Sequence, residues 1–305
     1  MDNHQNRLIK KDRKRIILTL MALFILFSFY QNISAQNSSE EKANQIKLIR
    51  ILEKTREYCS RLKNAAFYYV CLEEVSEKIN VSRDFAQNIL TQSFSRENSQ
   101  METRFKTPIR IIENKYIYDY QLVQKDYKTE ERRILLEENG AKRNEKDAPL
   151  KTVMFKYQNV LFGPIDVLSG YWQYYHDYKI VSEEMLDGEK TVVIEAIPKP
   201  FLKQRRFFGK IWVKEGDFSI LKIEWSQKSI GNFQILEDIA KRYNSEPQIT
   251  LVSEYNIERN GIKFPSRYLI EEAYINKRGN KFIRSEIIII YRDYKFFIVE
   301  TDVKY

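Results

Sequence analysis

Tight-turn signals recur through the second half of the chain and constrain its fold more than any other feature. Asp187-Gly188, Glu215-Gly216 and Asn260-Gly261 each separate two runs rich in β-branched and aromatic residues. Dipeptides ending in glycine suit the positive φ angles of a short hairpin turn. Strands joined by such turns pair antiparallel, because parallel pairing needs a long crossover. The sequence therefore predicts an antiparallel meander.

The predicted strands come mostly in pairs across these turns. They cover residues 116–125 and 129–137, 181–185 and 191–196, 208–214 and 219–225, 249–259 and 262–274, and 282–291 and 296–304. Residues 65–78 fit a strand or a helix, and their aromatic and β-branched content favours a strand. Residues 80–106 are typical of a weakly ordered connection, and residues 138–147 of a charged loop.

Helical patterns occur in three places. Ser38 and Glu41 form a capping box that begins a helix over residues 40–62. Its apolar face is predicted from three- and four-residue spacing as Ile46, Ile49, Leu52, Cys59 and Leu62. Residues 159–175 contain a short helix with Pro164 in its first turn. Residues 229–243 contain another, with one side formed by Ile235, Leu236 and Ile239. We expect an α+β fold, mostly antiparallel β, whose strongly curved sheet wraps over these helices.

The N-terminus has the layout of a secretory signal peptide. A basic head at residues 7–15 precedes an apolar stretch at 16–30, and Ile33-Ser34-Ala35 supplies a small-residue exit. The apolar stretch is shorter than the roughly 18–20 residues of a spanning helix. We predict a signal peptide at 1–35 and an exported mature chain. An anchor formed by an uncleaved N-terminal helix is the alternative.

The formal charge of +9 suggests nucleic-acid binding, but four of these positive units belong to residues 1–35. One basic cluster remains, between Pro198 and Phe207, and comprises Lys199, Lys203, Arg205 and Arg206. Its ordinary interpretation is a solvated loop. Its functional interpretation is contact with anionic lipid headgroups or a partner. Nucleic acid is not an expected partner of an exported protein.

Residues suited to catalysis or metal binding are scarce. The sequence lacks the common phosphate-loop, dinucleotide, serine-hydrolase and zinc-protease motifs, and His176 is the one histidine beyond the signal peptide. A metal site needs several ligands, so His176 is expected to be a strand-edge or loop residue. Carboxylates occur side by side at Glu73-Glu74, Glu183-Glu184 and Glu271-Glu272. Neighbours on a strand point to opposite faces, so these pairs are expected to be solvated charge rather than the acid and base of an exported hydrolase. We expect no cofactor, no metal and no enzymatic activity.

Cys59 and Cys71 would both enter an oxidising compartment, where they could form a disulfide. The bond requires Cα atoms within about 7 Å, which is met if residues 63–68 fold back along the helix. The alternative is a pair of small, buried apolar residues.

Three motifs carry a family resemblance. They are Phe208-Gly209-Lys210-Ile211-Trp212-Val213, the run Gly216-Asp217-Phe218-Ser219-Ile220-Leu221-Lys222-Ile223-Glu224-Trp225, and Asn260-Gly261-Ile262-Lys263-Phe264-Pro265-Ser266-Arg267. With these three motifs in this order, the sequence resembles the LolA-like outer-membrane lipoprotein-sorting superfamily. The resemblance implies one periplasmic domain over residues 36–305, with the helix at 40–62 and an extension at about 65–108. It also implies an unclosed half-barrel sheet covered on its concave side by helices.

The same resemblance implies that the protein carries a lipid or lipoprotein acyl chain and has no catalytic residue. An acyl chain needs an apolar cavity with a movable cover. Candidate lining residues are Leu161, Phe162, Leu168, Trp172, Trp212, Leu221, Ile223 and Trp225. The same residue types build an ordinary core, so the alternative is a fully packed interaction or sensor module of the cell envelope on the same fold.

Overall fold

The computed structural model describes residues 41–83, 110–125, 128–158, 160–201, 207–231 and 233–297. The predicted signal peptide, Ser38 and most of the 80–106 connection lie outside these ranges. Within them, each helix is too short or too polar to cross a membrane.

Residues 41–65 are helical, close to the predicted 40–62. The chain divides into two units at residues 50 and 51. In the first unit, Ile46 and Ile49 are exposed, contrary to the predicted apolar face. In the second unit, the helix between residues 51 and 65, called α1 here, buries Ile51, Thr55, Tyr58, Cys59 and Leu62. Cys59 and Leu62 are therefore buried as predicted, whereas Leu52 is half-buried and Ile51, Thr55 and Tyr58 complete the buried side at helical spacing.

Eleven strands form one antiparallel sheet in the order β4-β3-β2-β1-β13-β12-β9-β8-β7-β6-β5. The edge strands β4 and β5 lie at opposite ends of this order, so the sheet is unclosed. The strands are β1 (Tyr69–Asn80), β2 (Ile111–Lys125), β3 (Lys128–Glu138), β4 (Ala141–Glu145), β5 (His176–Leu186), β6 (Glu189–Pro198), β7 (Gly209–Lys214), β8 (Ile220–Trp225), β9 (Ser245–Glu254), β12 (Arg267–Asn276) and β13 (Lys281–Phe296).

The first and last strands pair at the centre of the sheet. Glu73 lies opposite Tyr291, and Val75 lies opposite Ile289. Residues 69–80 are therefore a central strand, which agrees with the strand favoured by the sequence of residues 65–78. The predicted hairpin near residue 293 is wrong, because the chain passes through Asp293 at a φ of 55° and continues as one strand of 16 residues.

Two turn predictions need different corrections. Asn139 and Gly140, at φ 49° and 80°, form a hairpin turn into β4, so the predicted charged loop contains a short exposed strand. Asn260 and Gly261 form the predicted turn at φ 53° and 68°. However, the strands beside this turn, β10 (Ile257–Arg259) and β11 (Ile262–Phe264), form a separate two-stranded sheet. The long predicted strands are interrupted near Pro265, which has no N–H group for a ladder.

The inner face of the sheet is defined here by a buried row that crosses four strands. Trp225 lies opposite Leu251, Leu251 opposite Ile270, and Ile270 opposite Ile287. A 3-10 turn (Val160–Phe162), α2 (Gly163–Leu168) and α3 (Gly170–Gln173) form the predicted helical insert near this face, with Pro164 in the first turn of α2. α1 packs on this insert, since Cys59 Sγ donates to the Pro164 carbonyl at 3.4 Å.

The second insert forms α4 (Phe233–Arg242), whose side chains Leu236 and Ile239 are buried as predicted. Ile235 is 59% exposed and therefore does not share their side. The fold class is confirmed: the chain is α+β, dominated by a curved, unclosed antiparallel sheet with helices on its inner face.

Candidate functional site

A cavity of about 400 Å³ lies between the inner face of β8, β9 and β12 and the segment that leads into α2. Its lining is mostly apolar and aromatic. It consists of Phe155, Lys156, Tyr157, Gln158, Val160, Gly163, Asp166, Phe207, Trp225, Ile230, Leu251, Ser253, Tyr268 and Ile270.

Cross-strand register builds the floor of the cavity. Trp225, Leu251 and Ile270 lie side by side on β8, β9 and β12. In the adjacent row, Ser253 lies opposite Tyr268. Residues directly opposite in antiparallel strands share a face, so the alternation of these strands supplies a continuous apolar surface.

The cover of the cavity is the 3-10 turn together with the start of α2. It lies close to the cavity floor at Gly163. A Cβ atom there would lie 2.9 Å from the Trp225 ring and 2.7 Å from the Tyr255 hydroxyl. That hydroxyl donates to the Val160 carbonyl at 2.9 Å. The beginning of α2 is therefore seated against the sheet, and a larger side chain at residue 163 would displace it.

Few polar groups occur inside the cavity. Trp225 Nε1 donates to Ser253 Oγ at 2.9 Å, so both groups are satisfied. The Tyr157 side chain is 5% exposed, and its hydroxyl has no hydrogen-bond partner among the described residues. Burial raises the pKa of this hydroxyl well above its usual value, so it remains a neutral donor. The charged lining residues Lys156 and Asp166 are exposed and mark the rim.

The eight predicted lining residues are only partly brought together. Trp225 lines the cavity. Leu161, Leu168, Leu221 and Ile223 are buried outside its lining, and Phe162 and Trp172 are half-buried. Trp212 lies on the opposite face of the sheet, because it pairs with Lys222 and not with Ile223. Its indole nitrogen donates to Glu184 there. The floor residues Leu251 and Ile270 were missed, although alternation in their strands marked them as buried.

A different arrangement fills the inner face of β1, β2, β3 and β13. Arg133 is 6% exposed and donates to both oxygens of the fully buried Glu73, at 2.6 and 3.1 Å. Arg133 also donates to Glu131 at 3.1 Å. Hydroxyls complete the network, since Tyr291 donates to Glu73 at 3.1 Å and Tyr120 to Glu131 at 2.9 Å. We call these four strands the polar arm and β8, β9 and β12 the apolar arm.

The electrostatics of the polar arm are those of a buried ion pair. Burial raises the pKa of Glu73, and Arg133 opposes that shift. Burial alone would lower the pKa of Arg133, but the Glu73 carboxylate outweighs it and the pKa is raised, so the guanidinium stays charged. Every oxygen of Glu73 is engaged by protein donors, which leaves it unsuited to proton transfer.

A second buried glutamate fastens a segment across the polar arm. Glu77 Oε1 accepts from the backbone N–H groups of Val153 and Met154 at 2.8 and 2.9 Å. The Asn114 side chain donates to Glu77 Oε2 at 3.1 Å. The segment 148–158, called the strap here, continues directly into the cover of the cavity.

The prediction that the paired carboxylates are solvated is wrong for one member of two pairs. Glu73 and Glu272 are fully buried. Glu272 accepts from Arg284 at 3.0 Å and from Ser285 at 3.1 Å. Alternation does place Glu74 and Glu271 on the other face, where they pair with Arg292 and Lys281. Glu73 and Glu272 thus each have an arginine as their own cation.

Cys59 and Cys71 are free thiols, so the predicted disulfide is absent from the structure. Cys59 instead donates to Pro164, while Cys71 lies on β1 beyond the turn that ends α1. Burial raises the pKa of both thiols. They match the alternative of two small buried side chains.

His176 begins the edge strand β5, as predicted for a strand-edge residue. Its Nδ1 lies 2.9 Å from the Trp172 carbonyl, and among the described residues Nε2 has no partner. The described ranges contain no group of three or more potential metal ligands. Of the basic cluster, Lys199 is described, and Lys203, Arg205 and Arg206 lie outside the described residues.

No protein-family profile matches the sequence, and no curated protein matches it. Among solved structures, the chain is similar to a DUF1329 family protein from Desulfovibrio piger at 11% identity and a TM-score of 0.37, covering 82% of this chain and 95% of that one. It is also similar to a LolA superfamily protein from Nitrosomonas europaea at 13% identity and a TM-score of 0.32, covering 82% and 94%.

Proposed function

We propose that this protein is an exported carrier that holds the acyl chain of a lipid or lipoprotein in the cavity of the apolar arm. The observation that supports this proposal is a space of about 400 Å³ whose floor is Trp225, Leu251 and Ile270. The volume lies within the range of about 300–1,000 Å³ typical of small-ligand sites. The floor is continuous across three strands, which suits a flexible chain without directional contacts.

Burial of methylene groups would supply the binding free energy, at about 0.8 kcal/mol for each methylene removed from water. A polar end of the cargo would lie at the rim, where Lys156 is exposed and its positive charge suits a carboxylate or phosphate. Its ammonium group donates to the Leu150 and Thr152 carbonyls, which leaves one N–H for the cargo. No covalent chemistry is needed for this task.

Two further hollows lie on the described surface. One, of about 360 Å³, is smaller than the cavity and is lined by Tyr68, Ile262 and Phe264 with Arg259 and Asn260 beside them. The other, of about 450 Å³, is lined by Asp119, Asp293 and Lys295 together with β1 residues. Placing an alkyl chain against three charged side chains would cost desolvation free energy. The apolar arm is therefore the preferred location.

The signal peptide predicted at residues 1–35 supports export of the carrier to the periplasm of a Gram-negative-type envelope. Its expected partners are a lipid or lipoprotein acyl chain and envelope membrane proteins that load or unload it. Sorting of lipoproteins to the outer membrane is the role that the family resemblance suggests.

One observation favours a second candidate, an envelope interaction or sensor module. The inner face of the polar arm is filled by the protein's own side chains, with Glu73 and Arg133 at its centre. If the apolar arm also remains empty in the cell, the fold would serve contacts with other proteins and not cargo.

Native mass spectrometry of the protein purified from its own envelope separates the two candidates. The carrier predicts added masses that match acylated molecules and that disappear after denaturation. A protein of bare mass from gentle extraction, together with no uptake of a fluorescent fatty acid in solution, would contradict the carrier and favour the interaction module.

A further inference from the structure

A group of exposed and half-buried aromatic side chains lies on α3, between α3 and β5, and in the segment after β6. We call it the aromatic patch, and it comprises Tyr171, Trp172, Tyr174, Tyr175 and Phe201. Tyr171, Tyr174 and Phe201 are 63%, 66% and 57% exposed. Contiguous apolar patches on a soluble protein surface commonly mark interaction sites.

The rings of the patch contact one another in a fixed arrangement. Tyr171 lies 4.9 Å from Trp172 and 5.2 Å from Tyr175, measured between ring centroids. Tyr174 lies 5.1 Å from Tyr175 and 6.2 Å from Phe201. The patch is therefore preformed, and binding would cost little side-chain ordering.

Lys199 places a positive charge at the edge of the aromatic patch. Lys199 Nζ donates to the Tyr174 carbonyl at 2.9 Å and lies 5.5 Å from the Tyr174 ring centroid. Its distance to the Asp177 carboxylate is 3.9 Å, at the limit of an ion pair. In sequence, residues 199–206 carry four basic residues and no acidic one.

We propose that the aromatic patch docks this protein on the surface of an anionic lipid bilayer. Tyrosine and tryptophan favour the membrane–water boundary because each ring has an apolar body and a polar tip. Lysine and arginine beside such rings are attracted to anionic headgroups. The patch combines both properties on one surface.

The patch is joined to the cavity through α2, because Asp166 at the cavity rim precedes Tyr171 by five residues. Phe207 follows Phe201 by six residues, lines the cavity and is 49% exposed. Its ring lies 5.7 Å from that of Trp225 in the cavity floor. A role of the patch in transferring an acyl chain rests on the proposed function, because docking would bring the cavity rim to the membrane that supplies the cargo. Docking itself can be measured without any cargo.

Aromatic surfaces also serve protein partners, but the charge and the position beside the cavity favour a bilayer. Headgroup attraction would be weakened by salt and would require anionic lipid. If the patch instead bound a protein partner, this protein would show no affinity for vesicles. The vesicle experiment described next would detect that outcome.

The test measures co-sedimentation of the full chain with vesicles of phosphatidylcholine, alone or mixed with phosphatidylglycerol. The triple variant Tyr171→Ser, Tyr174→Ser, Phe201→Ser should bind mixed vesicles about tenfold more weakly than the parent. The matched control is Tyr68→Ser with Phe297→Ser, which removes rings of similar exposure, 46% and 53%, elsewhere. This control should bind like the parent. Equal binding by the triple variant, or parental binding that does not depend on phosphatidylglycerol, would overturn the proposal.

A fluorescent label within the patch reports docking at that surface. An apolar segment at the N-terminus would not change the signal of this label. The native thiols are buried, so an added cysteine at Tyr174→Cys can be labelled selectively with an environment-sensitive fluorophore. Its emission should shift to the blue with mixed vesicles, while a label at Tyr68→Cys should not shift. The absence of a shift at residue 174 would contradict docking at the patch.

The two proposals fail separately. Loss of vesicle binding with retained uptake of a fluorescent fatty acid by the parent would overturn docking and leave the carrier intact. Vesicle binding through the patch with no fatty-acid uptake would uphold docking and contradict the carrier.

Discussion

The inner face of the sheet is filled in the polar arm and open in the apolar arm. In the polar arm, Glu73 and Arg133 occupy the face with a buried ion pair, and the strap lies across it. In the apolar arm, Trp225, Leu251 and Ile270 leave a cavity of about 400 Å³ beneath the cover. The strands pair antiparallel in both arms. The difference shows that side chains, and not the sheet itself, decide where this fold is filled and where it is open.

The largest expected effect concerns the ion pair that fills the polar arm. Arg133→Met would leave Glu73 buried without its cation, so we expect the free energy of unfolding to fall by about 3–5 kcal/mol. Urea denaturation measures this change. Arg143→Met removes an exposed arginine that pairs with Glu138 and should change stability little.

A double variant sharpens this prediction. Glu73→Leu combined with Arg133→Met replaces both charges of the central pair by apolar groups and should recover part of the lost stability, because Glu131 loses its cation but keeps Tyr120 as a donor. A double variant as unstable as Arg133→Met alone would show that packing, and not the uncompensated charge, sets the cost.

An intermediate effect is expected where the strap is fastened. Glu77→Ala removes the acceptor of two backbone N–H groups and should lower the free energy of unfolding by about 1–3 kcal/mol. Hydrogen exchange should accelerate at Val153 and Met154 in particular. Asn114→Ala touches Glu77 but not the strap, so it should leave exchange at these two amides unchanged. Equal acceleration in both variants would refute the fastening role.

The smallest effect concerns the cysteines, of which Cys59 contacts the cover of the apolar arm and Cys71 lies in the polar arm. Since burial raises the pKa of both thiols, little thiolate exists below about pH 9. Maleimide should therefore modify neither residue in the native protein and both after denaturation. A mass lower by two hydrogens, with no labelling after denaturation, would instead demonstrate the disulfide.

Local sequence signals predicted much of the fold. The Asp187-Gly188 and Asn260-Gly261 turns depend on residues next to one another, and both form. The pairing of β1 with β13 joins segments more than 200 positions apart, and no local pattern specifies it. Asp293 interrupts the apolar pattern of β13 as a turn residue would, yet the strand continues through it.

The candidate site was less predictable for a physical reason. A glutamate in a strand indicates solvent, so Glu73 and Glu272 looked exposed until the structure showed their arginine partners on other strands. Trp212 and Trp225 are equally apolar in sequence, but only register places them on opposite faces. Whether an apolar residue lines a cavity or fills a core depends on what lies across from it.

The most direct test of the open apolar arm is the dissociation constant of a fluorescent fatty acid for the delipidated protein and two tryptophan variants. Leu251→Trp adds volume inside the cavity, and Ile283→Trp adds it at a position that is 41% exposed. We expect Leu251→Trp to weaken binding about tenfold or more with little change in Tm, and Ile283→Trp to bind like the parent. Equal affinity of Leu251→Trp and the parent, or no binding by any of the three, would contradict the account.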